Sequence, residues 1–213
     1  MKPIYSRYDK KKIAALPRVV FEGKIHVVYT KNEAQKAVDF LLGQKVVGID
    51  TETRPTFKKG RTNLVALLQV STENLCFLFR LTREEVIPYV VQLLENQGVL
   101  KVGLSLSDDF LSLRRRFDFK GGAFFDLQKH FCEIGIKDMA LQKLYANVFG
   151  MRITKGQQMS NWEAEILTDS QKLYAATDAW ACLRLYHELQ RLKSECDFEL
   201  IHNEYEENIL EER

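Results

Sequence analysis

Val46-Val47-Gly48-Ile49-Asp50-Thr51-Glu52 is a short apolar run that ends in two acids. Its β-branched residues and its length make 46–49 a buried strand. On a strand, residues two apart project to one face. Asp50 and Glu52 therefore present two carboxylates on one side of a sheet. Like charges that close repel, and in a partly buried site they persist mainly with a cation between them. The spacing alone is weak, because Asp197-Phe198-Glu199 repeats it near the C-terminus. Only the first pair follows an apolar strand.

Working outward, 25–29 reads as a strand. Residues 30–42 read as an amphipathic helix with Ala34, Val38, Leu41 and Leu42 on one face, closed by Gly43. After the acids, 53–63 is polar, basic and marked by Gly and Pro, hence a loop. Two further strands are predicted at 64–70 and 75–79, across the turn Ser71-Thr72-Glu73-Asn74. Thr82-x-x-Glu85 reads as a capping box opening a helix through Leu94. A strand at 99–103, a helix at 107–117 and a short strand at 123–125 follow. The remainder reads as mostly helical. Thr168-x-x-Gln171 caps a last long helix running to about Ser194. The pattern is an α/β domain in which a β-meander adjoins βαβ crossovers, without internal repeats.

The chain has 213 residues, enough for one domain with short tails. No run approaches the ~18 apolar residues of a membrane span, and the first twenty residues lack the apolar core of a secretory signal. Cys76, Cys132, Cys182 and Cys196 are scattered, without a CxxC pair. They suit reduced, mostly buried thiols and a cytoplasmic location rather than a disulfide framework or a zinc site. The net charge of +2 argues by itself against a polyanion binder. However, residues 195–213 hold eight acids and one arginine, a net of −7, which leaves +9 for the rest. The expected organisation is a basic N-terminal extension (1–24), a folded domain (25–194) and an acidic tail (195–213).

Two more pieces carry chemistry. Asp108 and Asp109 follow Val102-Gly103-Leu104-Ser105-Leu106-Ser107. Both fall in the first turn of a helix, where the dipole alone favours a carboxylate. In Tyr174-Ala175-Ala176-Thr177-Asp178 the phenol and carboxylate lie one turn apart on one face, flanked by alanines that admit a close neighbouring layer. Tyr5 to Asp9 has the same spacing without a periodic helix, so this pattern too is weak alone.

In order, the strand-end D-x-E, the aspartate after V-G-x(5) and the late Y-x(3)-D are specific. With VVGIDTET, NLVALLQVS, KVGLSLSDDFLSLRRRFD and MSNWEAEILTDSQKLYAATDAWACLRLY, the sequence resembles the tyrosine-bearing DEDD-type 3′–5′ exonucleases. That group includes the catalytic domain of ribonuclease D, the Werner helicase exonuclease domain and the proofreading domain of family A polymerases. The resemblance spans about 25–192. It implies a ribonuclease H-like (DnaQ-like) mixed sheet flanked by helices. It also implies a catalytic set of Asp50, Glu52, Asp109, Tyr174 and Asp178. Asp109 is selected over Asp108 because the family places that acid six residues after the glycine.

The same resemblance implies two divalent ions, Mg²⁺ or Mn²⁺, held by the four acids. Asp50 would bridge them, Glu52 and Asp178 would hold the ion on the nucleophile's side, and Asp109 would act through water. Tyr174 would orient the attacking water. The reaction implied is release of nucleoside 5′-monophosphates from 3′ ends of DNA and/or RNA. Ser105 departs from the asparagine common at that position. Expected substrate contacts are Thr51, Arg54, Phe57, Lys58, Arg61 and Ser105. The basic loop 54–61 is suited to phosphates and Phe57 to stacking on a base, although a solvated loop explains both. Arg114, Arg115 and Arg116 read either as strand contacts or as charge at a helix C-terminus. Trp162 and Trp180 read as packing residues. Two other classes fit the same residues: a nucleic-acid-binding or assembly module with weak or no catalysis, and a ribonuclease H-like endonuclease.

Overall fold

A computed structural model describes residues 1–57, 60 and 62–202. In chain order its elements are β1 (Lys2–Tyr5), α1 (Lys10–Ile13), β2 (Lys24–Val28), α2 (Lys31–Leu42), β3 (Val46–Thr53), β4 (Val65–Ser71), β5 (Leu75–Arg80) and α3 (Ile87–Glu95). They continue with β6 (Leu100–Gly103), α4 (Leu106–Arg114), β7 (Phe124–Asp126), α5 (Leu127–Glu133), α6 (Leu141–Phe149), α7 (Asp169–Glu195) and β8 (Phe198–Ile201). Six strands form one mixed sheet in the order β2-β5-β4-β3-β6-β7. β3, β4 and β5 make an antiparallel meander, while β2, β6 and β7 join in parallel. This is the ribonuclease H-like mixed sheet flanked by helices.

Local chemistry sets the boundaries. Thr30 and Glu33 form a reciprocal capping box at α2, and Thr168 and Gln171 do the same at α7. The box expected at Thr82 does not form. Glu84–Val86 make a 3-10 turn, and α3 starts only at Ile87 with no side-chain cap. Pro88 has no N–H, so it is tolerated in a first helical turn and not deeper. That places the helix start four residues later than the capping pattern suggested. The stretch 151–167, read as part of a helical second half, contains no α-helix. Gly150 ends α6 in the left-handed conformation at φ +63°, and the chain leaves as a loop.

β3 runs through both acids because β4 pairs with it as far as Thr53. A bulge immediately after Glu52 interrupts the register there. One sheet face packs on α2, α3 and α4 through Val38, Leu41, Val90, Leu94 and Leu113. The other packs on α7, where Ala175, Ala176 and Ala179 are buried. The approach is close: a Cβ on Gly48 would stand 2.0 Å from the Ala179 carbonyl oxygen. The small residues along α7 and the glycine in β3 thus bring the helix backbone down onto the strand that carries the acids.

A second, two-stranded sheet pairs β1 in parallel with β8. Asn147 clamps β1 through both Tyr5 backbone groups, at 2.9 and 2.7 Å, and Lys2 bonds Glu188 at 2.6 Å. The first residues of the acidic tail therefore lie along the first residues of the chain. No described helix is long and apolar enough to cross a membrane. Cys76 and Cys182 are buried, Cys132 and Cys196 are exposed, and all four are free thiols.

Candidate active site

Asp50 and Glu52 project from the end of β3 toward α7, which supplies Asp178. Carboxylate oxygens of these three lie within 4.8 Å of one another. Asp50 is partly exposed, whereas Glu52 and Asp178 are only 8% and 7% exposed. Tyr174, one turn before Asp178, sets its hydroxyl beside that carboxylate. Asp109 reaches the site from α4, on the opposite side of the sheet. It stands outside the trio, held by a hydrogen bond from the Thr51 hydroxyl. Asp50 and Glu52 share one strand face, and Thr51 between them turns to the other and fastens the fourth acid.

The electrostatics follow from burial first. Desolvation pushes Asp50 well above the carboxylate range, and the neighbouring Asp109 and Asp178 add to it. Glu52 is raised to about 10 by burial, then by Asp50, Asp178 and Asp109. Asp178 is raised to about 7 by burial, against the neighbouring Tyr174 hydroxyl and the charge of Lys155. Asp109 is raised to about 6, with the Thr51 hydrogen bond opposing. Tyr174 is pushed above its ordinary value by burial and by Asp178 and Glu52. Four acids that resist ionisation together make an all-oxygen donor set in search of a cation. They fit a hard divalent ion, and no histidine or cysteine belongs to the cluster.

A cavity of about 260 Å³ opens over the trio. Its walls include Gln142, Thr154, Lys155 and Gln158, which sequence reading did not single out. The available signal was the polar run Thr154-Lys155-Gly156-Gln157-Gln158, which only becomes a wall once 151–167 is a loop. Gln69 was also missed. It lies directly across from Asp50 in the β3–β4 register, is fully buried, and its amide has no partner among the described residues.

The expected substrate contacts are spread more widely. Thr51 lines the cavity. Arg54 does not line it and forms an ion pair with Glu163 at 3.2 Å. Phe57 is 89% exposed. Lys58 and Arg61 lie outside the described residues. Ser105 adopts φ +60°, ψ +41°, and its hydroxyl donates to Gln128 at 2.8 Å. Asparagine is among the residues best suited to that left-handed conformation. Of the three arginines, Arg114 covers the Phe119 ring from the last turn of α4, Arg115 bonds Thr62, and Arg116 bonds the Leu81 carbonyl. Trp162 is fully buried, with its ring centroid 6.0 Å from that of Tyr174. Trp180 is half-buried under the Arg184 guanidinium.

Residues 25–193 match the family model described as 3′-5′ exonuclease. The chain belongs to this 3′–5′ exonuclease family. Among curated relatives, mouse bifunctional 3′-5′ exonuclease/ATP-dependent helicase WRN is 33% identical over 207 residues, covering 91% of this chain and 14% of that protein. Ribonuclease D of Haemophilus influenzae is 34% identical over 167 residues, covering 77% of this chain and 41% of that protein. The exonuclease-family chain thus spans less than half the length of either relative. In fold it is similar to the EXO domain of Aedes aegypti Nibbler, with TM-score 0.74, 20% identity, and coverage of 85% of this chain and 95% of that one. Trypanosoma brucei RNase D in complex with RNA U12 gives TM-score 0.71 at 21% identity, over 79% and 63%.

Proposed function

We propose that this chain is a metal-dependent 3′–5′ exonuclease that hydrolyses phosphodiester bonds at the 3′ ends of DNA and/or RNA and releases nucleoside 5′-monophosphates. The observation that carries the reading is the meeting of Asp50, Glu52 and Asp178 within 4.8 Å beneath Tyr174. Asp50, Glu52 and Asp178, with Asp109 beside them, would hold two divalent ions, Mg²⁺ or Mn²⁺. When bound, such ions lower the pKa of an attacking water and stabilise charge on the leaving 3′ oxygen.

The chain's own groups supply the rest. Tyr174 keeps its proton at working pH because burial and the acids raise its pKa. Its hydroxyl is therefore suited to orienting a water by hydrogen bonding, not to acting as a base. Lys155 faces Asp178 across the cavity and offers a cation to the scissile phosphate. Arg54 can exchange Glu163 for a strand phosphate, since that pair is half exposed and weakly held. Exposed Phe57 is available to stack on a base. Lys58 and Arg61 belong by sequence to the same basic loop. Free thiols at all four cysteines support a reducing compartment such as the cytoplasm. Residues 25–194 are the catalytic unit.

The test is release of nucleoside 5′-monophosphates from 5′-labelled single-stranded DNA and RNA, with and without Mg²⁺ or Mn²⁺. Stepwise shortening that EDTA stops, and that Asp178→Asn abolishes without unfolding the protein, is the expected result. Activity in EDTA without added metal, or cleavage of a circular strand, would overturn it. Tight binding with no metal-dependent release would leave a binding module in its place.

A further inference from the structure

Tyr174 has two sides. One faces the acids. The other walls a separate cleft of about 300 Å³, lined by Arg18, Val19, Val20, Thr154, Gln157, Ser170 and Thr177 among others. The two cavities share Tyr174 and Thr154, so one residue layer divides the reaction centre from this second space.

We propose that this second cleft is a phosphate-binding subsite whose cation is Arg18, taking a nucleotide phosphate next to the reaction centre. The proposal rests on the exonuclease reading above and names a residue that reading does not use. Three observations carry it.

The first is charge. Among the described residues no carboxylate lines the cleft, whereas the catalytic cavity carries three acids and the cavity beside Trp180 carries Glu22 and Glu73. Among the described residues, the Arg18 guanidinium has no ion-pair or hydrogen-bond partner. An unpaired guanidinium in an acid-free cleft is matched to a phosphate, which it can grip with two parallel N–H groups.

The second is preorganisation. Arg18 is exposed, but its backbone is pinned. The Val19 N–H donates to the Arg152 carbonyl at 3.0 Å, and the Arg152 N–H donates to Pro17 at 2.9 Å. The Phe21 N–H donates to the Thr177 hydroxyl at 3.1 Å, on α7 itself. The segment is thus pinned to Arg152 on both sides of Arg18 and to α7 at Phe21, which fixes the backbone of that residue beside the cleft.

The third is the donor set. Ser170 and Thr154 carry hydroxyls that are not engaged within the described residues. The Gln157 carbonyl accepts from Ser160 at 2.6 Å, which leaves its amide N–H₂ to donate. Ser170 also lies in the first turn of α7, where backbone N–H groups and the helix dipole favour an anion. The one acid of that turn, Asp169, is paired with Lys172 and does not line the cleft. Arg18 itself precedes residues 25–193, the span of the family match. The cation is thus contributed by a segment outside that span.

Two sources share this chemistry: a backbone phosphate of the bound strand, and the phosphate of a released nucleoside 5′-monophosphate. The probes are adenosine 5′-monophosphate, adenosine, and a single-stranded oligonucleotide, titrated in metal-free buffer onto wild type, Arg18→Ala and Arg18→Lys. Without metal there is no turnover, so failure of the exonuclease reading leaves this measurement intact. Arg18 is exposed and held by backbone bonds, so both variants keep the wild-type melting temperature.

Weakening of the monophosphate by about tenfold in Arg18→Ala, partly restored in Arg18→Lys, assigns the cleft to the product. The same loss confined to the oligonucleotide assigns it to the strand. There the slope of affinity against salt should drop by about one. Adenosine binding as tightly as its monophosphate, or neither phosphate-bearing probe weakening in Arg18→Ala, would overturn the proposal.

Discussion

The Thr51 hydroxyl donates a hydrogen bond to the Asp109 carboxylate, joining the middle of the D-x-E strand to the first turn of α4. Strand alternation sends Thr51 away from Asp50 and Glu52, and that puts it within reach of the acid arriving from the other side of the sheet. The bond also opposes the burial that raises Asp109.

Thr51→Val keeps the shape and removes the donor, so Asp109 loses its orientation and holds its proton to higher pH. A lost hydrogen bond to a charged partner is worth about 1.5–3 kcal/mol, or roughly 10- to 150-fold in an equilibrium. We expect the half-saturating Mg²⁺ concentration to rise by at least about tenfold, with the melting temperature little changed and Thr51→Ser near wild type. Metal titration of initial rates measures this. An unchanged metal requirement in Thr51→Val would show that Asp109 needs no such anchor.

The buried acids also fix how stability depends on pH. Glu52, Asp178 and Asp109 have folded values of about 10, 7 and 6, above the ordinary carboxylate range near 4. A raised folded pKa means that the folded state binds more protons than the unfolded one. The contribution is therefore full below about pH 4 and lost as pH rises through 6, 7 and 10. Glu133 and Glu188, lowered to about 2 by their cationic neighbours, act in the opposite sense, below about pH 4. In EDTA the melting temperature should fall steadily from pH 5 to pH 9. Added Mn²⁺ should raise it more at pH 8 than at pH 5.5, because bound cations favour the ionised acids. A metal-free melting temperature that is flat or rising across this range would contradict the buried-acid site.

Close packing of α7 on β3 is what delivers Asp178. A Cβ at Gly48 would stand 2.0 Å from the Ala179 carbonyl oxygen, which is backbone and cannot rotate aside. Gly48→Ala should displace the helix one residue from Asp178, cost about 1–3 kcal/mol of stability, and reduce turnover disproportionately. Gly156→Ala is the control, since nothing lies within 4 Å of its Cβ position. Thermal unfolding and kcat measured side by side decide it. Wild-type turnover in a folded Gly48→Ala protein would mean that the spacing of helix and strand is not what positions Asp178.

Much of this geometry was legible in the sequence because it is local. Period-two alternation places Asp50 and Glu52 together, and helical spacing stacks Tyr174 on Asp178. The capping box at 168–171 marks a true helix start. What escaped is what depends on distant pairing. Gln69 is an ordinary glutamine until the β3–β4 register sets it opposite Asp50. Lys155 becomes part of the cavity wall only when 151–167 folds back as a loop. The pairing of β1 with β8 joins residues almost two hundred positions apart, which no periodicity encodes. The Thr82 pattern failed for a local reason, Pro88, whose missing N–H sets the start of α3 instead.

Trp162 shows how that loop reaches the reaction centre. The indole is fully buried against the Tyr174 ring, and its Nε1–H has no partner among the described residues. Nearby, buried Arg80 donates to the Ala164 carbonyl and holds the loop to the end of β5. The indole therefore works by shape and area rather than by hydrogen bonding. Trp162→Phe removes an N–H that contributes no bond, so it should cost little stability and leave kcat within a few-fold. Trp162→Ala should cost about 3–5 kcal/mol and free the Tyr174 ring, lowering kcat well beyond the effect on KM. The pair of variants separates packing from polarity. If Trp162→Phe loses as much activity as Trp162→Ala while remaining folded, the indole N–H has a bonding role, and the ring is not simply a backstop for the tyrosine.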